Sequence, residues 1–158
     1  MQIIVKTLSE ELRARGLKMS AAESCTGGMI SAAVTDLAGS SDIFDRGFVT
    51  YSNQAKMDML GVSSSTLEQY GAVSEQTAAE MASGAIVHSL ADCSVAVTGI
   101  AGPSGSSDDK PVGLVYIAVG RKGMTSLVTK NNFDGDRSSV REQATLTAIK
   151  NLLDLIKA

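Results

Sequence analysis

Two short apolar segments, each running straight into small polar residues and glycines, constrain this chain more than anything else in it. "LKMSAA" (Leu17 to Ala22) leads into "ESCTGG" (Glu23 to Gly28), and "CSVAVTG" (Cys93 to Gly99) leads into "IAGPSG". Segments of this length read as strands. A strand with little polar alternation is buried on both faces, so the sheet that holds it needs cover on both sides. Helical patterns supply that cover. Ile4, Val5, Leu8 and Leu12 recur at helical spacing before Gly16, a natural C-terminal cap. Gly28 to Ala38 reads as a second helix. "GFVTYS" (Gly47 to Ser52) reads as a strand, and Ser52 caps a helix that Gly61 ends. "SSTLEQYG" reads as a helical turn or two, and Ser74 caps a helix over Glu75 to Leu90. "LVYIAVG" and "TSLVTKNNF" flank a turn at "RKGM" and read as an antiparallel hairpin. Ser138 or Ser139 caps a last helix reaching about Lys157. Helices that alternate with early strands, followed by a late hairpin, predict one α/β domain over residues 1–158. The expected form is a three-layer α/β/α sandwich on a mixed, mostly parallel sheet.

Composition then removes whole classes of function. The 158 residues carry a formal net charge of −3, which offers no basic footprint for nucleic acid. No apolar run reaches the ~18 residues of a membrane span. The amphipathic N-terminus carries acidic residues and lacks a signal-peptide cleavage site, so the expected location is the cytoplasm. Two cysteines, Cys25 and Cys93, are too few for a disulfide framework. With no cluster of metal-ligand spacing and no Walker-type loop, a metal-free mechanism without a cofactor is expected.

Open α/β sheets bind ligands where strand ends feed helices. Three such places occur, at Glu23–Gly28, Tyr51–Lys56 and Thr98–Gly105. Parallel neighbours would open all three on one edge and bring Ser24, Tyr51, Lys56 and Thr98 within reach of one another. Ser24 is the strongest nucleophile candidate, because backbone N–H groups opening a helix have no intrahelical partner and can hold an oxyanion. Ser24 or Thr26 could equally be an ordinary helix cap. Gly27 and Gly28 let a substrate approach the backbone. Cys25 is a rival nucleophile, since a thiolate is favoured at a helix N-terminus, or else a small buried hydrophobe. The single histidine, His88, sits mid-helix in "AIVHSLAD" with no triad around it. The base is therefore expected to be Lys56, made neutral by the helix dipole and by burial, with Tyr51 sharing the proton. The bland alternatives are a solvated helix lysine and a core tyrosine. Gly99, Gly102 and Gly105 recur at every third residue and could form a nest of amides beside Thr98. Arg137 and Arg141, opening the last helix, are candidates to hold a phosphate.

The stretches "AESCTGG", "GFVTYSNQAK", "GAVSEQT", "VTGIAGPSG", "KPVGLVYIAV" and "GDRSSVREQA" resemble, in order and spacing, the C-terminal domain of the CinA competence/damage-inducible family. Within that family the resemblance is closer to the stand-alone nicotinamide-nucleotide amidases. It implies a three-layer α/β/α homodimer that deamidates nicotinamide mononucleotide to nicotinate mononucleotide and ammonia, in pyridine nucleotide salvage. It implies Ser24 as nucleophile in a Ser–Tyr–Lys centre with Tyr51 and Lys56. Thr98 is then in the site and Arg137, or its neighbour Arg141, is the family arginine. Ser106 stands where many relatives have a second glycine, which alters the loop. The alternative is a catalytically inactive nucleotide-binding or interaction module. The joint presence of Ser24, Tyr51, Lys56 and Thr98 argues against it, since a pure binding module needs none of them.

Overall fold

The computed structural model describes Met1–Ala158. Its elements are, in chain order, α1 (Gln2–Arg15), β1 (Met19–Glu23), α2 (Met29–Thr35), β2 (Phe44–Val49), α3 (Asn53–Leu60), α4 (Ser64–Tyr70), α5 (Glu75–Val87), β3 (Cys93–Gly99), β4 (Leu114–Arg121), β5 (Leu127–Asn132) and α6 (Arg137–Lys157). The strands form one sheet in the order β2-β1-β3-β4-β5. Strand β1 pairs in parallel with both β2 and β3, whereas β4 is antiparallel to both β3 and β5. The sheet is mixed, as expected, but its four pairings divide evenly instead of being mostly parallel. In so small a sheet the late hairpin contributes as many ladders as the parallel half.

Alternation along the strands sorts side chains onto two unlike faces. Met19, Ala21, Val95, Val97, Val115 and Ile117 point into a core with α1, α2 and α6, where Leu8, Leu12, Ile30 and Leu152 are fully buried. Ser20, Ala22, Ser94, Ala96 and Ala118 face α5 and are small. The helix therefore beds directly on the sheet, and the hydroxyls of Ser20 and Ser94 donate to the carbonyls of Ala85 (3.1 Å) and Ala82 (2.7 Å). On the outer side of α5, Gly84 lies against the carbonyl of Leu60 at the end of α3, where a Cβ would collide.

Boundaries moved where edges tolerate charge or where a remote group caps a helix. Strand β2 starts at Phe44, not Gly47, and stops before Thr50. Asp45 and Arg46 hid its first half, yet an edge strand accommodates both. Helix α2 ends at Thr35 instead of Ala38, and α5 ends at Val87 with His88 as its C-cap. The cap of α6 is Asp136, which accepts from the Ser139 N–H, and neither Ser138 nor Ser139 plays that part. The caps Gly16, Ser52 and Ser74 are as expected.

Candidate active site

The C-terminal ends of β1, β2 and β3 open on one edge of the sheet. The β1–α2 connection begins with Ser24, whose N–H donates to the Val97 carbonyl at 3.0 Å and so ties the residue to the end of β3. The chain then turns tightly, Gly27 N–H donating to Ser24 O at 3.1 Å. Gly27 and Gly28 take left-handed backbone (φ 57° and 104°) that a side chain would strain. Within this turn the N–H groups of Cys25, Thr26 and Gly28 donate to no backbone acceptor, whereas those of Gly27 and Met29 do.

Neither Ser24 nor Thr26 caps α2. Glu23 does, from the last residue of the strand. Its fully buried carboxyl accepts from the Ile30 N–H (2.9 Å), the Ser31 N–H (3.0 Å) and the Ser31 hydroxyl (2.8 Å). The Ser24 hydroxyl is thereby left for something else. Sequence reading passed over Glu23, although a carboxyl inside a doubly buried strand demands partners and was itself the signal.

That other partner is Lys56. Its side chain is 1 % exposed, and Nζ lies 3.0 Å from Ser24 Oγ, itself 8 % exposed. Nζ also donates to the Thr50 carbonyl at 2.8 Å. No acidic side chain is bonded to the amine, and burial pulls its pKa down to about 8. The solvated-lysine alternative is ruled out. Thr50 leaves β2 just where its carbonyl meets the amine, and a backbone acceptor gives no side-chain clue in the sequence.

Cys25 is buried beside Ser24, and burial pushes its thiol up to about 11, outweighing the opposing effects of its own N–H and of Arg141 and Lys56. The helix terminus does not make it a thiolate. Tyr51 is 64 % exposed, and its hydroxyl accepts from Arg137 at 3.2 Å; it bonds neither Ser24 nor Lys56. Arg137 also donates to the Gly102 carbonyl at 2.9 Å, which draws the "IAGPSG" loop toward the start of α6. Thr98 is buried and its hydroxyl donates to Ala72 O at 2.7 Å, so it fastens β3 to the segment before α5. Gly99 ends β3 against Leu114 and Val115, with no room for a side chain. Arg141 turns inward, donating to Cys25 O (3.0 Å) and Thr26 O (3.2 Å). His88 is exposed and stands beside Gly61, at the other end of α3 from Ser52. The structure thus unites Ser24 with Lys56 and Tyr51 with Arg137 as two separate pairs, where one linked centre was expected.

Comparison with known proteins agrees with this architecture. The CinA C-terminal domain model matches residues 1–156. The nicotinamide-nucleotide amidohydrolase PncC of Enterobacter agglomerans is 55% identical over 142 residues, 90% of this chain and 87% of that protein. The protein of the same name from Escherichia coli K12 is 49% identical over 92% of this chain and 88% of its own length. A longer protein from Caldicellulosiruptor saccharolyticus, described as a putative competence-damage inducible protein, is 49% identical but matched over only 36% of its length. Among solved structures, the competence/damage inducible protein CihA from Agrobacterium tumefaciens superposes with a TM-score of 0.95 at 47% identity, covering 98% of this chain and 94% of that one. The chain belongs to the CinA C-terminal domain family.

Proposed function

We propose that the whole chain, residues 1–158, acts as one amidase domain that hydrolyses the carboxamide of nicotinamide mononucleotide to nicotinate mononucleotide and ammonia, with Ser24 as nucleophile. One observation carries the reading. A buried amine with a depressed pKa lies 3.0 Å from a serine hydroxyl and is bonded to no acid. In its neutral form Lys56 has two N–H bonds and one lone pair. The Thr50 carbonyl takes one N–H, which leaves the lone pair to accept the Ser24 O–H. Ser24 Oγ then attacks the carboxamide carbon as its proton passes to Nζ. The unpartnered N–H groups of Cys25 and Thr26 hold the developing oxyanion. The ammonium of Lys56 gives its proton to the carboxamide nitrogen, the C–N bond breaks and ammonia leaves. Water, deprotonated by the same amine, releases nicotinate mononucleotide from the acyl-enzyme. The pyridinium charge already draws electrons from the carboxamide, so the chemistry places no demand for a metal on the protein.

The Arg137–Tyr51 pair supplies the exposed cation and phenol at the mouth of the site. In this account Arg137 binds the substrate phosphate, and Tyr51 orients Arg137 and the substrate without carrying the proton. The substrate itself is suggested by the two relatives named as nicotinamide-nucleotide amidohydrolases. Salvage of pyridine nucleotide in the cytoplasm by a homodimer completes the proposal. Ammonia release from nicotinamide mononucleotide by the purified chain tests it, together with mass-spectrometric trapping of an acyl adduct on Ser24. An enzyme that releases ammonia with no adduct on Ser24, and equally well as Ser24→Ala, would refute the serine mechanism. No ammonia at all would favour a binding module.

A further inference from the structure

Arg141 was a candidate for the substrate phosphate, but its Nε and Nη2 are already engaged inside the protein. Nε donates to Cys25 O and Nη2 to Thr26 O, across 116 and 115 residues of chain. These are consecutive carbonyls of the turn that follows Ser24. In a trans peptide the C=O and the N–H point in opposite directions. A guanidinium bonded to Cys25 O therefore aims the Thr26 N–H away from α6, and that N–H has no backbone acceptor. The cation also draws electron density through the amide and makes that N–H a better donor. Backbone bonds close the turn at Ser24 O and Thr26 O, but the Cys25 carbonyl accepts from no other backbone group, and a Cβ on Gly27 would sit 3.3 Å from the Arg141 side chain. The fork of a guanidinium bridges two adjacent carbonyls in a way that a lysine point charge does not.

We propose that Arg141 is a positioning residue that sets and polarises the Thr26 N–H of the oxyanion site, through the Cys25 carbonyl, and that it makes no contact with the substrate phosphate. The proposal rests on the Ser24 amidase reading above. Its test compares Arg141→Met, Arg141→Lys and Arg141→Gly with wild type on nicotinamide mononucleotide and on nicotinamide riboside, which lacks the phosphate. The expected result for Arg141→Met is a fall in kcat approaching the ~10²-fold of one lost oxyanion donor, equal on both substrates, with KM nearly unchanged. Arg141→Lys stays folded and remains slow, and free guanidinium ion restores part of the rate of Arg141→Gly. A rise in KM for the nucleotide alone, or full activity in Arg141→Lys, would overturn the proposal.

If wild type releases no ammonia, the amidase reading has failed and a second measurement decides about Arg141. A fluorophosphonate forms a P–O bond to Ser24 as the P–F bond breaks, fluoride leaving and the serine proton passing to Lys56. Slower labelling of Ser24 in Arg141→Lys than in wild type upholds the positioning role. Equal rates remove it.

Discussion

Helix α3 has a basic side chain near each of its ends, and the two could hardly be placed more differently. Near its start Lys56 is enclosed, bonded to Ser24 and to the Thr50 carbonyl, and pushed by burial toward the neutral amine. Near its end His88 is exposed and lines an open groove of about 380 Å³ with Leu60, Gly61, Glu80 and Val87. By residue type the histidine is the better general base at neutral pH. By environment it bonds no serine hydroxyl, although Ser83 lines the same groove, whereas the lysine is held at hydrogen-bond distance from one. What sets the lysine apart is burial, which lowers its pKa, and a backbone carbonyl, which fixes its amine beside Ser24.

Substitutions at the two sites and at the rim should differ widely in effect. The largest effect is expected for Ser24→Ala, which should lower kcat on nicotinamide mononucleotide by about 10⁴-fold or more while the protein stays folded, its unfolding temperature lowered only by the loss of one partner of the Lys56 amine. The hydroxyl caps no helix, so steady-state ammonia release and a melting curve together check both halves. Next comes Lys56→Arg. A guanidinium stays protonated, so about 10²–10⁴-fold of rate should go even though the charge is kept.

Lys56→Met tests the cost of the buried cation. The fold depresses this pKa to about 8, so the folded protein binds the proton less tightly than the unfolded chain, whose lysine titrates near 10.4. The penalty is present in full below about pH 8 and is relieved as pH rises toward the unfolded value. Lys56→Met should therefore gain most in unfolding temperature at neutral pH, with the gain shrinking between pH 8 and 10. A constant difference across that range would separate burial from basicity.

Smaller effects belong to the rim. Loss of one charged hydrogen-bonding partner is worth ~1.5–3 kcal/mol, so Arg137→Ala should raise KM for the nucleotide roughly 10- to 100-fold, with kcat changed less. Tyr51→Phe keeps the ring and removes the acceptor of Arg137, so its defect should also appear in KM. A loss confined to kcat would return Tyr51 to the proton relay. At the bottom of the series, Cys25→Ala should keep most of the activity, because its thiol stays protonated at neutral pH. His88→Gln should leave kcat/KM unchanged.

Much of this architecture is legible in the sequence. The caps at Gly16, Ser52, Ser74 and Gly61 announce themselves by residue type, and β3 and the β4–β5 hairpin are bounded by turn chemistry. Ser24 and Lys56 could be nominated because strand-to-helix turns converge on one edge of an open sheet. What stayed hidden was long-range. That Glu23 caps α2, that Thr50 offers a carbonyl, and that Arg141 serves two carbonyls on another element are matters of which groups meet in space. Helix-terminus electrostatics suggested a reactive Cys25 thiolate, and burial overrode it. The balance of parallel and antiparallel ladders likewise follows from where the hairpin docks.

In the proposed mechanism burial makes Lys56 the base for Ser24, and an NMR titration of the lysine side-chain Cε–Nζ signals reads this directly. Assigned by its disappearance in Lys56→Met, the Lys56 signal should titrate near pH 8, and the same midpoint should govern the rise of kcat/KM with pH. A Lys56 titrating near the ordinary lysine value of about 10.4, with activity already at its plateau at pH 7, would contradict the account.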